Sequence, residues 1–457
     1  MTATRVLITV PDVQSVITPE VFFASGSGSH GPVPLRSRLL DVGVPPSLAL
    51  DHEFGPVPLR VSAATAVLAS SFEHELEASP AFVVRGLIDS QDLEQAQNLK
   101  DDAGNPRVFS DPPIGLLPTT FKSPPIGTAS DVQRLLRRGL LSELGMDGSG
   151  VALALMDNGI NLAYLRDRGL QPTMDVHLSW SPNEAIRSGA APVDHGTMCA
   201  YDALLTAPRV TLMDFAVART TRVGGSAMDG FLSDALLAYS KLLGWMRLSD
   251  HERPYHSLVV SNSWAVFSPI WDFPPGSPGR YMDNLAHPFH QVVSALSNAG
   301  ADIVFAAGNC GDVAPDGRCG FATLDPKITG ANSYPEVITV AGVDVHGEVA
   351  GYSSRGPGSI DESKPDIAAY THFKGSEAFG KDTADSGTSA ACPVFAGVLA
   401  ALRTQAKFVA GSPKRSPAAL KSYVCSLAAS SAGIPREVGH GIVSTAEFGS
   451  AATNLSY

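Results

Sequence analysis

Val151-Ala152-Leu153-Ala154-Leu155-Met156-Asp157-Asn158-Gly159 is an unbroken apolar run that ends on a carboxylate, an amide and a glycine. A strand with one face in water alternates apolar and polar residues. An uninterrupted apolar run predicts a strand covered on both faces, as in a parallel sheet between helices. Ligands of such sheets gather at the carboxyl ends of the strands. Asp157 is therefore placed for chemistry, although an Asp before Gly is also an ordinary turn residue.

Outward from this run, further strands are expected at Val210–Ala216, Ser257–Ser261, Ile303–Ala307 and Val337–Val340. Helices are expected near His195–Leu205, Ala227–Met246, Pro288–Ala299 and Ser389–Ala406. Alternation of this kind predicts an α/β fold, a mostly parallel central sheet with helices on both faces. We assign it to residues 128–457, opened by a helix over Asp131–Leu141 with Val132, Leu135, Leu136 and Leu140 on one face.

Residues 1–127 read differently, as a smaller α+β region. Val6–Val10, Ala81–Ile88 and Val108–Phe109 are strand-like, Ala63–Glu77 is helix-like, and Asp89–Ala96 reads as a capped helix. The hexapeptide Gly-Pro-Val-Pro-Leu-Arg occurs at Gly31–Arg36 and again at Gly55–Arg60, too few copies for a solenoid. Pro112-Pro113-Ile114-Gly115 and Pro124-Pro125-Ile126-Gly127 bracket a stretch without periodicity, which we read as a linker.

Composition narrows the function. The 457 residues are 44% hydrophobic and 17% charged, which fits a globular protein with a large core. A net charge of −12 without a basic run argues against nucleic acid as a partner. No stretch approaches the roughly 18 apolar residues of a membrane span, and Pro11 cuts short the first apolar run, so no secretory signal is expected. The expectation is a cytoplasmic protein, or one exported without such a signal. Five cysteines do not form a disulfide framework; Cys310 and Cys319 stand close enough to bridge a loop, which a reducing compartment disfavours.

Two further stretches carry chemistry. His195-Gly196-Thr197-Met198-Cys199-Ala200 opens a helix. Asp385-Ser386-Gly387-Thr388-Ser389-Ala390-Ala391-Cys392-Pro393-Val394-Phe395-Ala396-Gly397 leads into a long, small-residue helix with Ser389 at its start. There the helix dipole stabilises negative charge, which suits a nucleophile whose reaction develops an oxyanion. Pro393 is expected to be tolerated as part of a first turn that lacks internal N–H partners.

Asp157-Asn158-Gly159, His195-Gly196-Thr197 and Gly387-Thr388-Ser389-Ala390-Ala391-x-Pro393 resemble, in order, the signature blocks of the subtilisin-like serine peptidases. Phe305-Ala306-Ala307-Gly308-Asn309 looks like that family's oxyanion block. Gly351-Tyr352-Ser353-Ser354-Arg355-Gly356-Pro357 with Lys364-Pro365-Asp366 resembles a stretch between that block and the nucleophile. Ser261-Asn262-Ser263-Trp264-Ala265 resembles the block beside the primary specificity pocket.

The resemblance implies a serine endopeptidase. His195 is then general base and acid, Asp157 orients it, and Ser389 attacks the peptide carbonyl. Asn309 and the Ser389 N–H hold the oxyanion. Ser263, Trp264 and Ala265 on one side and Gly224 on the other flank an extended substrate, with an apolar or aromatic residue expected in the pocket.

Asn158 departs from the usual Ser or Thr, Ala390 from the usual Met, and Trp264-Ala265 from the usual Leu-Gly, which alters the pocket wall. No cofactor is implied and no metal ligands are assigned; structural calcium is common in the family, but no loop has EF-hand spacing. The implied partner is a protein or peptide substrate; residues 1–127 read either as a cleaved inhibitory propeptide or as a permanently attached partner-binding domain, and a separate inhibitor protein is the other candidate partner. A transpeptidase or single-precursor processing enzyme and a silent binding relative are the rival readings. Cys199 and Cys392, each about one helical turn from a catalytic residue, read as buried small hydrophobes or as a thiol-sensitive site.

Overall fold

The computed structural model describes residues 3–11, 39–40, 43–51, 54, 57–59, 81–116, 123–220, 229–249, 251–319, 327–405, 408, 416–430 and 433–448. The expected helix at Ala63–Glu77, the first hexapeptide copy and Gly224 lie outside them.

The N-terminal region is an antiparallel sheet of β1 (Ala3–Pro11), β2 (Ala49–Leu50), β3 (Val57–Pro58), β4 (Ala81–Asp89) and β5 (Val108–Ser110). β1 pairs with β4 from Ala3 opposite Asp89 to Pro11 opposite Ala81, and its other edge pairs with β5. Strand alternation divides its side chains. Val6, Ile8 and Val10 pack with Val84, Ile88 and Ala96 in a local core that α1 (Leu93–Gln97) helps to cover. Leu7, Val83 and Phe109 point the other way, into the core of the larger sheet.

The stretch read as a linker contains a strand. β6 (Pro113–Leu116) pairs with elements of the larger domain, not with the N-terminal sheet. Main-chain pairing needs no side-chain periodicity, so nothing in the pattern announced it. The expected helix over Asp131–Leu141 is two short ones, α2 (Ala129–Leu135) and α3 (Arg138–Glu143). Arg137, at φ 47°, turns the chain left-handed between them.

The central sheet contains β7 (Val151–Met156), β8 (Thr173–Met174) and β9 (Thr211–Phe215), with α4 (Leu162–Asp167) and α5 (His195–Leu204) between them. After β10 (Asp229–Phe231) and α6 (Leu232–Met246) come β11 (Ser257–Asn262), the short β12 (Trp264–Ala265) and α7 (Pro288–Asn298). β13 (Asp302–Ala306), β14 (Ile338–Val343), β15 (Ile367–Tyr370) and α8 (Thr388–Arg403) follow. The strand order is β15-β14-β13-β11-β7-β9-β8, and every pairing is parallel.

The opening run of the sequence lies in the interior of this sheet. Val151, Leu153 and Leu155 face one core, shared with α5 and α8, while Ala152, Ala154 and Met156 face the other, shared with α6 and α7. Each fully buried Val or Leu is worth about 1.5–3 kcal/mol. The uniform burial of β7 is therefore what holds it at the centre and brings its C-terminal end, at Asp157, to the middle of one edge.

Candidate active site

Asp157 follows β7 directly, and its N–H donates to Phe215 O at 2.9 Å. His195 opens α5. Its Nδ1 lies 2.9 Å from both Asp157 carboxylate oxygens, and both side chains are almost fully buried. A carboxylate accepts, so Nδ1 carries the proton and Nε2 is left as the base end of the ring. Asn158 supplies the clamp between strand and helix. Its Nδ2 donates to Asp194 at 3.0 Å, and its Oδ1 accepts from the Gly196 N–H at 2.9 Å. The departure from Ser or Thr at this position thus ties the strand end to the first turn of α5.

Ser389 is the second residue of α8, entered through Gly387 at φ 81°, a left-handed conformation that glycine adopts freely. Pro393 lies in the second turn, so the expected first-turn explanation for it fails. As residue i+4 it has no N–H to offer the Ser389 carbonyl. That oxygen accepts from Ser263 Oγ at 3.1 Å and from the Cys199 thiol at 3.5 Å instead. The same sulfur is 3.7 Å from His195 Nδ1, so one atom touches both the imidazole and the backbone of Ser389. His195 Nε2 and Ser389 Oγ are both buried without a protein hydrogen-bond partner.

Asn309 follows β13. Its Oδ1 accepts from the Thr388 N–H at 2.9 Å and from Thr388 Oγ1 at 3.0 Å. Thr388 Oγ1 accepts in turn from the Gly308 N–H at 3.1 Å. These bonds commit the oxygen end of the amide to the start of α8 and set the NH2 end as the donor. Asp214, buried beside the Asp157 turn, accepts from Ile160 and Gly189 N–H groups. Burial pushes its carboxyl up to about 6 against the pull of those two bonds.

β10 and β12 are the outer strands of a separate three-stranded sheet, and β6 lies antiparallel between them. Gly115 is opposite both Asp229 and Ala265, and Leu116 is opposite Trp264. Trp264 turns its indole into the core, edge-on to Phe305 and Phe289, and donates to Asn262 Oδ1 at 3.2 Å. Its backbone therefore pairs with β6 and its side chain fills the core, and it does not form the altered pocket wall expected from sequence. Ala265 lines a recess with Ala307, Gly308, Asn309 and Thr329. Ser263 props the Ser389 carbonyl.

Sequence reasoning missed the part played by Thr388 and the clamp of Asn158, and it disfavoured a bridge between Cys310 and Cys319. These two cysteines form a disulfide, a bond that persists in oxidising surroundings. Among the described residues, metal-ligand spacing occurs at Asp157, His195 and Cys199. Calcium prefers six to eight oxygens, and this thiol and imidazole do not fit it. Burial holds the Cys199 thiol well above its usual range, which keeps it neutral.

The chain thus sets an Asp–His pair at the carboxyl edge of a parallel α/β sheet and a serine at the start of α8. The chain belongs to the subtilase family, which it matches over residues 148–441. It is similar to the membrane-bound transcription factor site-1 protease of Homo sapiens, 26% identical over 281 residues, which cover 59% of this chain and 22% of that protein. The Rattus norvegicus and Cricetulus griseus proteins of the same name match to the same extent. The chain thus spans less than a quarter of the length of these curated relatives. No helix among the described residues is long and apolar enough to cross a membrane.

Proposed function

We propose that this chain is a serine endopeptidase in which Asp157, His195 and Ser389 act as a triad, and that β6 occupies its substrate cleft. What supports the reading is the Asp157–His195 contact beside a Cys199 sulfur that also touches the Ser389 carbonyl, together with a strand of the chain's own between β10 and β12.

His195 Nε2 takes the Ser389 Oγ proton as the oxygen attacks the carbonyl carbon, then delivers it to the leaving amine. Asp157 fixes the tautomer and stabilises the imidazolium. The Asn309 amide and the Ser389 N–H receive the oxyanion. A substrate adds to β10 and β12 as a strand, so its main chain supplies affinity and the recess beside Ala265 supplies preference.

β6 holds that position in the intact chain. Behind it, Asp111 accepts from the Ser233 N–H at 2.8 Å and from Ser233 Oγ at 2.9 Å, capping α6 from the N-terminal region. Arg85 reaches Asp234 at 2.7 Å. The N-terminal region is thereby a built-in occupant of the cleft, removed when the chain is cut between about Asp111 and Ala129.

The test is labelling with a fluorophosphonate, followed by peptide mapping and N-terminal sequencing. Label on Ser389 and a new N-terminus in that interval are expected. Ser389→Ala is expected to abolish turnover with an unchanged melting temperature, because Ser389 Oγ makes no hydrogen bond that folding relies on. A folded Ser389→Ala protein that still cleaves peptides would overturn the assignment.

A further inference from the structure

We infer that Arg318 is a substrate-binding residue that grips the main chain of the bound strand and restricts one of its positions to glycine. The inference rests on the peptidase reading above and deepens it. Arg318 Nη2 donates to the Leu116 carbonyl at 2.6 Å. The accepting group is backbone, so a substrate residue of any type paired to Trp264 presents the same oxygen.

The guanidinium is held before anything binds. Asp316 takes its Nε at 3.0 Å and its Nη2 at 2.9 Å, and its plane lies over the Phe267 ring at 3.7 Å from the centroid. Asp316 is itself fixed, with its N–H donating to the Asn309 carbonyl at 2.8 Å. The Cys310–Cys319 disulfide closes the loop beside Asn309. The loop thus carries the proposed oxyanion donor at one foot and the strand clamp near the other. A fork locked on a carboxylate and an aromatic face loses little freedom on meeting its acceptor.

The same clamp fills the space above Gly115. A Cβ there would stand 2.8 Å from Arg318 Nη1 and 3.1 Å from the Phe267 ring. Nη1 cannot swing aside without giving up Asp316, and Phe267 is buried. The strand position paired to Ala265 therefore accepts glycine and rejects larger residues.

The experiment uses the purified active protein and two acetylated peptides, Pro-Ile-Gly-Leu-Leu-Ser-Lys and its Gly→Ala counterpart. The wild type is expected to favour the glycine peptide by about tenfold or more in kcat/KM. Arg318→Ala is expected to raise KM for the glycine peptide about ten- to a hundredfold, the size of a lost charge-assisted hydrogen bond, with kcat little changed. It should also narrow the gap between the two peptides, with the Phe267 contact left to favour glycine. Arg318→Lys keeps the charge without the fork and should fall between. In the intact chain Arg318→Ala loosens β6, so fluorophosphonate labelling of Ser389 should quicken. Equal use of both peptides by the wild type, or unchanged KM in a variant that labels normally, overturns the inference. A wild type that does not label at Ser389 overturns the peptidase reading, and this inference with it.

Discussion

Asn309 has two ends with different duties, and substitution can separate them. Its oxygen accepts from the Thr388 N–H and hydroxyl, which fixes the start of α8, while its NH2 group is the proposed oxyanion donor. Asn309→Asp keeps the acceptor and removes the donor. We expect kcat to fall about 10²–10³-fold, the size seen for the corresponding donor in subtilisin, with KM nearly constant. Asn309→Ala also orphans a buried N–H, so it should lose a similar factor in kcat and about 1–3 kcal/mol of stability. Steady-state kinetics and denaturant melts of the two variants separate the duties. Sequence marked Asn309, Asp157, His195 and Ser389 because their blocks, taken together and in order, resemble those of the subtilisin-like peptidases. It could not mark Thr388, or the release of the Ser389 carbonyl by Pro393. Thr388 acts through Asn309, 79 residues away, and the freed carbonyl is taken up by Ser263 and Cys199, 126 and 190 residues away. The sequence reading puts the Trp264 side chain in the pocket wall; it faces the core, because neighbouring strand residues alternate sides.

The helices that carry His195 and Ser389 pack directly on each other, and a glycine lies at the crossing. α5 carries His195 and α8 carries Ser389. They meet where a Cβ on Gly397 would stand 2.3 Å from the Ala203 carbonyl and 2.6 Å from Thr206 Oγ1. Gly397→Ala forces the helices apart. Overpacking of this kind costs about 1–3 kcal/mol. A shift approaching 1 Å between reacting groups costs about 10²-fold in rate. We expect a folded protein with a lowered melting temperature and a kcat reduced well beyond KM; an unchanged kcat would show that the crossing does not set the catalytic spacing. At this scale the sequence was most legible for the buried parallel strands, whose apolar runs at β7, β9, β11, β13 and β14 admit few other readings. It was least legible at β6, where two prolines and a glycine look like a spacer and the pairing is made by backbone alone. The break at Arg137 was hidden as well, since the apolar period continues through it.

The N-terminal sheet docks on the starts of α6 and α7, and a histidine lies at the second contact. His287 is fully buried and caps α7. Its Nδ1 accepts from the Phe289 N–H at 3.2 Å, which leaves Nε2 as the donor to the Ser110 carbonyl at 3.0 Å. Phe109 and Tyr281 pack edge-on against the ring, and Asp111, Asp272 and His290 are the nearby titratable groups. A second proton would have to displace the capping bond and place positive charge at a helix N-terminus. Burial, the leading cause, pushes its pKa from 6.5 down to about 4. The unfolded chain takes up this proton first, so the stability His287 contributes is complete above pH 6.5 and is lost as pH falls towards 4. Between pH 7.5 and 4.5 the loss is roughly 2–3 kcal/mol. Asp214 and Asp385, pushed up to about 6 by burial, bias part of this window the other way. The informative comparison is therefore with His287→Asn, which keeps a capping oxygen and does not titrate. Denaturant melts of the intact wild type should lose roughly 2–3 kcal/mol more than His287→Asn between those two pH values. Parallel pH profiles for the two proteins would mean that this contact does not sense protons.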